Sequence, residues 1–208
     1  MPKIVKPSFI VESEMDGQKI LREIEKYARN CYKSEVKITD DSAEPFVRRI
    51  LNIRPVPHLG ILDHHVISVR MVIDRGVSHE VVRHRIAAYL QESTRYCDYN
   101  RAGEIQVINI ADHFTNVDSF AVWWQAMLDA ERAYNELRLL GERPEIARSV
   151  LPNSLKTEII VTMDLTSWRN FFKKRAVNPK AHPQMREIAA PLLAEFQRLI
   201  PVVFEDIV

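Results

Sequence analysis

Hydrogen-bond donors crowd one short stretch near the middle of the sequence, and their types point to an anionic ligand. Between positions 83 and 96 the chain places Arg83, His84, Arg85, Gln91, Ser93, Arg95 and Tyr96. A guanidinium is a rigid fork of N–H groups that matches the oxygens of a phosphate in bidentate fashion. Arg83 and Arg85 diverge on a helix and share a face in a strand, while His84 points elsewhere in both cases. Together with Arg95, they predict two bound anions, or one ligand with several anionic groups.

The alternative is a solvated basic face, since surface arginine clusters commonly serve solvation and ion pairing. The apolar segment 86–90 lies between the donors. We expect it to be buried because its residues are apolar. Burial would then anchor the flanking donors on rigid backbone. This expectation favours a ligand site over a solvated face.

Composition limits how such a ligand could be held. The chain has 29 Lys and Arg against 28 Asp and Glu, a net charge of +1, so its overall charge does not attract nucleic acid. It has five glycines and contains neither a GxGxxG nor a GxxxxGK[ST] loop. Side chains, and not a glycine-rich backbone loop, are therefore expected to bind any phosphate.

Two other groups of residues could carry chemistry. His58, Asp63, His64 and His65 could suggest a metal-dependent phosphohydrolase, whose activity a chelator would abolish. Adjacent histidines point to opposite faces of a strand, however, so no metal site is expected. Cys31 and Cys97 form no CxxC or other ligand spacing and are expected to be free thiols, with Cys97 a packing residue more readily than a nucleophile.

Hydrophobic periodicity and cap residues predict the elements that position these side chains. The predicted strands cover residues 8–12, 64–73, 105–108 and 157–163. The predicted helices cover 17–32, 42–53 with Ser42 as cap, 78–85 with Ser78 as cap, and 117–140, with further helices starting at Pro144, at Thr166 or Ser167, and at Pro183. A polar turn is expected at 98–103.

Two helical patterns have more than one interpretation. The long helix repeats small and apolar residues that predict a core face or a contact with another subunit. These residues are Val122, Ala126, Ala130, Ala133 and Leu137. Glu145 and Arg148 stand three apart, which is the spacing of an ion pair on one helix face.

The length of 208 residues predicts one domain spanning 1–208. The sequence has no run of about 18 apolar residues, and its N-terminus lacks the apolar core of a signal peptide. We expect a cytoplasmic protein without a membrane partner.

The central stretch also resembles a known signature. Arg83-His84-Arg85, then seven residues, then Ser93 is similar to the Arg-His-Arg-(seven)-Ser pattern of the flavin-dependent thymidylate synthases, and Thr94-Arg95-Tyr96 continues it. Other segments resemble the family in the family's order. They are His58 with Asp63 and His64, 144–148 followed by Leu151-Pro152, and 168–172 with Arg175.

The resemblance implies a fold and a reaction. The fold would be α+β, a single domain with a mainly antiparallel sheet flanked by long helices. The reaction would be reductive methylation of dUMP to dTMP, with 5,10-methylenetetrahydrofolate as one-carbon donor and FAD reduced by NADPH as hydride source. The enzyme would be a transferase. Family members are typically homotetramers that share FAD between subunits, so the resemblance implies a homotetramer for this chain.

The resemblance also assigns roles residue by residue. Arg175 and Ser93 would be catalytic, with Arg175 beside the pyrimidine, where a fixed cation favours the ionised ring. The residues that would bind dUMP are Glu80, Arg83, Gln91, Glu92, Ser93, Thr94, Arg95, Arg148 and Arg175. The residues that would bind FAD are His58, Arg83, His84, Arg85, Gln91, Asp164, Thr166 and Asn170. Some relatives carry Glu at the position of Gln91, and Asn and Arg at those of Asp164 and Thr166; His182 is left outside the site.

A different class of function is a non-catalytic module that binds phosphates or nucleic acid through the arginines. It would show a log-linear dependence of affinity on salt and carry no chromophore. The near-neutral charge favours the enzyme and argues against a nucleic-acid partner.

Overall fold

A computed structural model describes residues 1–100 and 104–208 of the chain, so part of the turn expected at 98–103 lies outside the described residues. The chain forms two compact units. The first consists of Met1–Ser8, Met71–Arg83 and Tyr89–Ile160. The second consists of Phe9–Arg70, His84–Ala88 and Val161–Val208.

The strands form two sheets. They are β1 (Lys3–Val5), β2 (Ser8–Val11), β3 (Val66–Asp74), β4 (Ala88–Gln91), β5 (Gln106–Ile108) and β6 (Lys156–Asp164). β1 and β5 pair in parallel, whereas the larger sheet has the strand order β2-β3-β6-β4 and is antiparallel. The mixed helix and strand content and this sheet confirm the α+β prediction.

The long strands alternate in burial, as a period of two residues requires. In β3, Ile67, Val69 and Met71 are buried, while Ser68 and Arg70 between them are only half-buried. The strand β4 was missing from the sequence prediction, and it lies at the edge of its sheet.

The expected burial of segment 86–90 is wrong. Ile86 is 73% exposed and Leu90 is 74% exposed, whereas Tyr89 and Gln91 are half-buried. The reason is the two-residue period of β4, which turns Ala88 and Leu90 outward at a sheet edge. β4 still fixes the backbone between the donors, because it pairs with β6 and because Tyr89 and Gln91 on its inner face are half-buried.

The helices are α1 (Gly17–Asn30), α2 (Ala43–Leu51), α3 (Arg75–Val81), α4 (Ser119–Leu139), α5 (Pro144–Ala147), α6 (Leu165–Arg175), α7 (Pro183–Leu199) and α8 (Pro201–Phe204). Pro144 and Pro183 occupy first turns, as predicted. In the described part of the chain, no helix is both long and apolar enough to cross a bilayer.

Two predicted helix caps are wrong, because an aspartate carboxylate caps the helix in each case. The Asp74 carboxylate caps α3 by accepting from the Val77 N–H at 2.6 Å, while the Ser78 hydroxyl lies inside the helix and donates to the Arg75 carbonyl. Asp164 caps α6 in the same way, in place of Thr166 or Ser167. Ser42 is the N-cap residue of α2, as predicted, although its hydroxyl makes no cap bond and donates instead to Glu25.

The second unit has an aromatic core that holds α6. Trp168, Phe171 and Phe172 are fully buried, and the Trp168 and Phe172 rings stack with centroids 5.6 Å apart. The buried Arg169 pairs with Asp206 at 2.6 Å and so attaches the C-terminal segment to the same helix. These contacts fix the helix that carries Asn170 and Arg175.

The first unit has a separate core around α4. Met127 and Tyr134 are buried against Ile105, Val107 and Leu155. The predicted core stripe of α4 is wrong at Val122, which is 73% exposed, and at Ala126, which is exposed, whereas Leu137 does pack against this core. The bulky residues Met127 and Tyr134 set the rotation of the helix, because they bury more area than the alanines would.

Candidate functional site

The turn after β4 carries Ser93, and the backbone closes it. The Ser93 carbonyl accepts from the N–H groups of Tyr96 at 3.1 Å and Cys97 at 2.9 Å. The Ser93 hydroxyl oxygen accepts from the Arg95 N–H at 3.3 Å, which leaves the hydroxyl proton able to donate to a ligand. The turn thus presents a short donor on a fixed backbone.

Arg148 reaches this turn from far along the chain. Its Nη1 donates to the Thr94 hydroxyl at 3.0 Å, and Thr94 is buried. Glu145 pairs instead with Arg143 at 2.6 Å, so the predicted Glu145–Arg148 ion pair is wrong. Arg148 remains exposed and is held against the Ser93 turn, where the resemblance expects a nucleotide contact.

Three arginines of the signature point into solvent. Arg83, Arg85 and Arg95 are exposed, and none of them forms an ion pair with a carboxylate among the described residues. The Arg95 guanidinium lies 5.5 Å from the centroid of the Tyr96 ring, over its face. Because no internal partner holds these cations, they can accept an external anion.

Glu92 is turned into the protein. Its carboxylate accepts from the Tyr99 hydroxyl at 2.7 Å and from Lys156 Nζ at 3.1 Å, so each oxygen has a partner. Burial and then the hydrogen bond to Glu92 raise the pKa of Tyr99. Burial alone would lower the pKa of Lys156, but its hydrogen bonds to Glu158 and Glu92 outweigh burial and the net pKa is raised. Tyr99 is therefore neutral and Lys156 is charged at neutral pH.

Gln91 connects the end of β4 to two neighbouring elements. The Gln91 amide nitrogen donates to Ser78 at 2.9 Å and to Thr157 at 3.2 Å. This joins β4 to α3, the helix on which Glu80 sits, and to β6. The inner face of β4 is thereby fixed two residues before Ser93.

Arg175 and His84 meet in the second unit. Arg175 Nε donates to His84 Nε2 at 3.1 Å, and the His84 ring packs edge-on against Phe171 with centroids 5.0 Å apart. Burial, with the charges of Arg175 and Lys174, lowers the pKa of His84 to about 4. His84 is therefore neutral at physiological pH and accepts through Nε2, so its proton is on Nδ1.

The remaining residues expected to bind FAD also lie in the second unit. The exposed His58 has its Nδ1 3.2 Å from the Tyr32 hydroxyl. Asp164 accepts from the N–H and the hydroxyl of Ser167, and the Thr166 hydroxyl donates to the Leu59 carbonyl at 3.2 Å. Asn170 is exposed on α6.

The structure therefore collects most of the expected nucleotide residues in one unit. Gln91, Glu92, Ser93, Thr94, Arg95 and Arg148 lie in the first unit, as do Glu80 and Arg83. Arg175 lies in the second unit with His58, His84, Arg85, Asp164, Thr166 and Asn170. Both cysteines are free, and the described residues contain no group of three or more His, Cys, Asp or Glu placed to hold a metal ion.

Sequence reasoning missed the residues that support the turn. Lys156 and Tyr99 hold Glu92, and Tyr32 contacts His58. Lys156 follows Glu92 by 64 positions, so only strand pairing brings the two together. An ordinary strand lysine carries no signal of this role.

Comparisons with known proteins identify relatives of this chain. Residues 13–202 match the family described as thymidylate synthase complementing protein. A flavin-dependent thymidylate synthase from Mycobacterium sp. (strain KMS) is 32% identical over 97% of this chain and 85% of its own length. One from Geobacter sulfurreducens is 32% identical over 86% of this chain and 78% of its own length.

Two solved structures share the fold. The UMP/dUMP methylase PolB from Streptomyces cacaoi, bound with 5-Br UMP, gives a TM-score of 0.78 at 17% identity, covering 98% of this chain and 95% of that one. A flavin-dependent thymidylate synthase from Helicobacter pylori, complexed with FAD and dUMP, gives 0.73 at 23% identity, covering 97% and 99%.

Proposed function

Because the chain belongs to the flavin-dependent thymidylate synthase family and is an enzyme of that family, we propose that it methylates dUMP to dTMP. The one-carbon donor is 5,10-methylenetetrahydrofolate, and NADPH reduces bound FAD. The protein acts as one domain over residues 1–208, in the cytoplasm.

One observation supports the dUMP site above the others. Arg95 is an exposed cation without an ion-pair partner in the described chain, on the same turn as Ser93, while Glu92 between β4 and Ser93 is neutralised from within. A phosphate is attracted to such a turn, because Arg95 has no ion-pair partner among the described residues and the Glu92 carboxylate is already bound by Lys156. Arg148, held on Thr94, adds a second cation.

The residues present also fit FAD. Arg83 and Arg85 are exposed and unpaired among the described residues, as cations that hold a pyrophosphate must be. His58 and Asn170 are exposed polar groups that would contact the flavin nucleotide. Asp164 and Thr166 remain proposed contacts, although both side chains already hold the start of α6.

The chemistry divides between cofactor and protein. Reduced FAD, when bound, supplies hydride. Arg175 stabilises negative charge on the pyrimidine, which makes its ring carbon nucleophilic without a covalent bond to the enzyme. The Ser93 hydroxyl donates a hydrogen bond to the nucleotide and orients it.

We further propose a homotetramer. Exposed apolar side chains support it, because Leu90, Val122 and Leu139 are 74%, 73% and 82% exposed in the single chain. Water contact with such residues is unfavourable, and a second copy would remove it.

A visible spectrum tests the proposal. The purified protein should be yellow, or become so on addition of FAD, and anaerobic NADPH should bleach it. The double variant Arg83→Gln/Arg85→Gln should lose flavin, while the control Arg22→Gln/Lys26→Gln, which removes two exposed cations of α1, should keep it. A wild-type protein that stays colourless with added FAD would contradict the proposal.

A further inference from the structure

Glu92 stands one residue before Ser93, and its side chain is held in a small, partly buried network. Its two oxygens are taken by the Tyr99 hydroxyl at 2.7 Å and Lys156 Nζ at 3.1 Å. The side chains of Glu92 and Lys156 are each only 17% exposed. A charge-assisted pair with this little solvent is held more firmly than a surface pair.

The backbone of Glu92 is fixed as well. Its N–H donates to the Glu158 carbonyl at 2.8 Å, and its carbonyl accepts from Arg75 Nη1 at 3.3 Å. Glu158 and Lys156 lie on β6, so one strand holds both the main chain and the side chain of Glu92. The residue that precedes Ser93 therefore has little freedom to move.

The far end of the same loop is anchored on α4. Tyr99 closes the loop by its bond to Glu92, and its N–H donates to the Tyr134 hydroxyl at 3.3 Å. Next to it, Asp98 forms an ion pair with Arg138 at 2.7 Å. Residues 92 and 99 are thus joined to each other and to two different elements, with the Ser93 turn between them.

We propose that Lys156 and Tyr99 are positioning residues for the nucleotide-binding turn, acting through Glu92, whose carboxylate does not itself bind the nucleotide. This inference rests on the proposed function, because it assumes that Ser93 and Arg95 contact dUMP. An unpaired carboxylate at position 92 would repel the nucleotide phosphate and free the turn. Lys156 removes both effects at once, since it neutralises the carboxylate and ties it to β6.

The test uses the flavin-loaded, full-length enzyme. Lys156→Met removes the charge at similar length, and Tyr99→Phe removes only the hydroxyl. Each should raise the dUMP KM about tenfold, the size of one lost charge-assisted hydrogen bond, with kcat changed much less. Lys156→Arg should restore most of the wild-type KM, because a guanidinium can replace the ammonium.

A matched control separates this role from general damage to β6. Glu158 is the second carboxylate on Lys156, at 2.6 Å, and its side chain is more exposed. Glu158→Gln should leave the dUMP KM within about twofold, because the Glu92–Lys156 pair survives. An unchanged dUMP KM in both Lys156→Met and Tyr99→Phe, or a lower kcat alone, would overturn the inference.

The experiment separates failure of the positioning role of Lys156 and Tyr99 from failure of the proposed function. If the wild type forms no dTMP, the function is wrong whatever the variants do. If a variant is inactive but still binds flavin, the Kd for dUMP from quenching of flavin fluorescence replaces KM, and an unchanged Kd overturns the inference.

Discussion

At the scale of single residues, His84 shows how far a sequence motif is from a mechanism. In the sequence it stands between two arginines and reads as a third donor. In the structure it is a neutral acceptor for Arg175, which lies 91 positions away. No local pattern could predict this pairing, because the fold creates it.

His84 should make stability depend on pH. Burial, with the charges of Arg175 and Lys174, lowers its pKa from 6.5 to about 4, so the unfolded chain binds a proton at higher pH than the native protein does. The contribution of neutral His84 to the free energy of unfolding is fully present above the pKa of the unfolded chain. It is lost as the pH falls from that value toward the pKa of His84 in the folded protein. The effect amounts to about 1 to 2 kcal/mol once solvent screening of this half-buried ring is allowed for.

Urea unfolding at about pH 7.5 and about pH 4.5 measures this effect. The loss of stability on acidification should be smaller in His84→Gln than in the wild type. His182→Gln, an exposed histidine at the start of α7, is the matched control and should lose as much as the wild type. Equal losses in all three proteins would contradict the assignment of a neutral His84.

At the scale of elements, the boundaries show what periodicity can and cannot predict. The strands β3 and β6 and the helices α4 and α7 were predicted within a few residues, because each is long and its pattern repeats. The four-residue β4 is too short to show a pattern. The rotation of α4 was wrong, because alanine spacing was given the weight that Met127 and Tyr134 carry.

The helix starts were missed for a different reason. Asp74 and Asp164 each end a strand and cap the helix that follows directly. Aspartate favours turns and caps alike, so its residue type alone does not mark the start of a helix. The structure resolves the ambiguity, since each carboxylate accepts an N–H three residues ahead.

The cap of α6 should have a measurable value. Asp164→Ala removes the bonds to the Ser167 N–H and hydroxyl and should lower the free energy of unfolding by about 1 kcal/mol, measured by urea denaturation. Asp118→Ala is the control, since Asp118 precedes α4 without a side-chain cap bond and should cost little. Equal costs would show that the carboxylate does not cap α6.

At the scale of the whole molecule, the sequence predicted the family and most of the proposed ligand contacts, but little of what supports them. Ser93 and Arg95 are proposed from the signature, and Arg148 from the resembling segment 144–148. Lys156 and Tyr32 were not predicted, because they contribute through partners distant in sequence. The exposure of Leu90 and Val122, at 74% and 73%, was likewise not predicted, because it depends on how β4 and α4 are turned in the fold.

The central claim is that several cations gather one nucleotide for reduction by a bound flavin. A single-turnover reaction tests it most directly: the protein is reduced anaerobically with NADPH, freed of excess NADPH, and mixed with dUMP and 5,10-methylenetetrahydrofolate. The account predicts dTMP in an amount equal to the reduced flavin, with return of the yellow colour. Arg175→Ala should be reduced normally and form no dTMP. Absence of dTMP from the reduced wild type, or its formation without reoxidation of the flavin, would contradict the account.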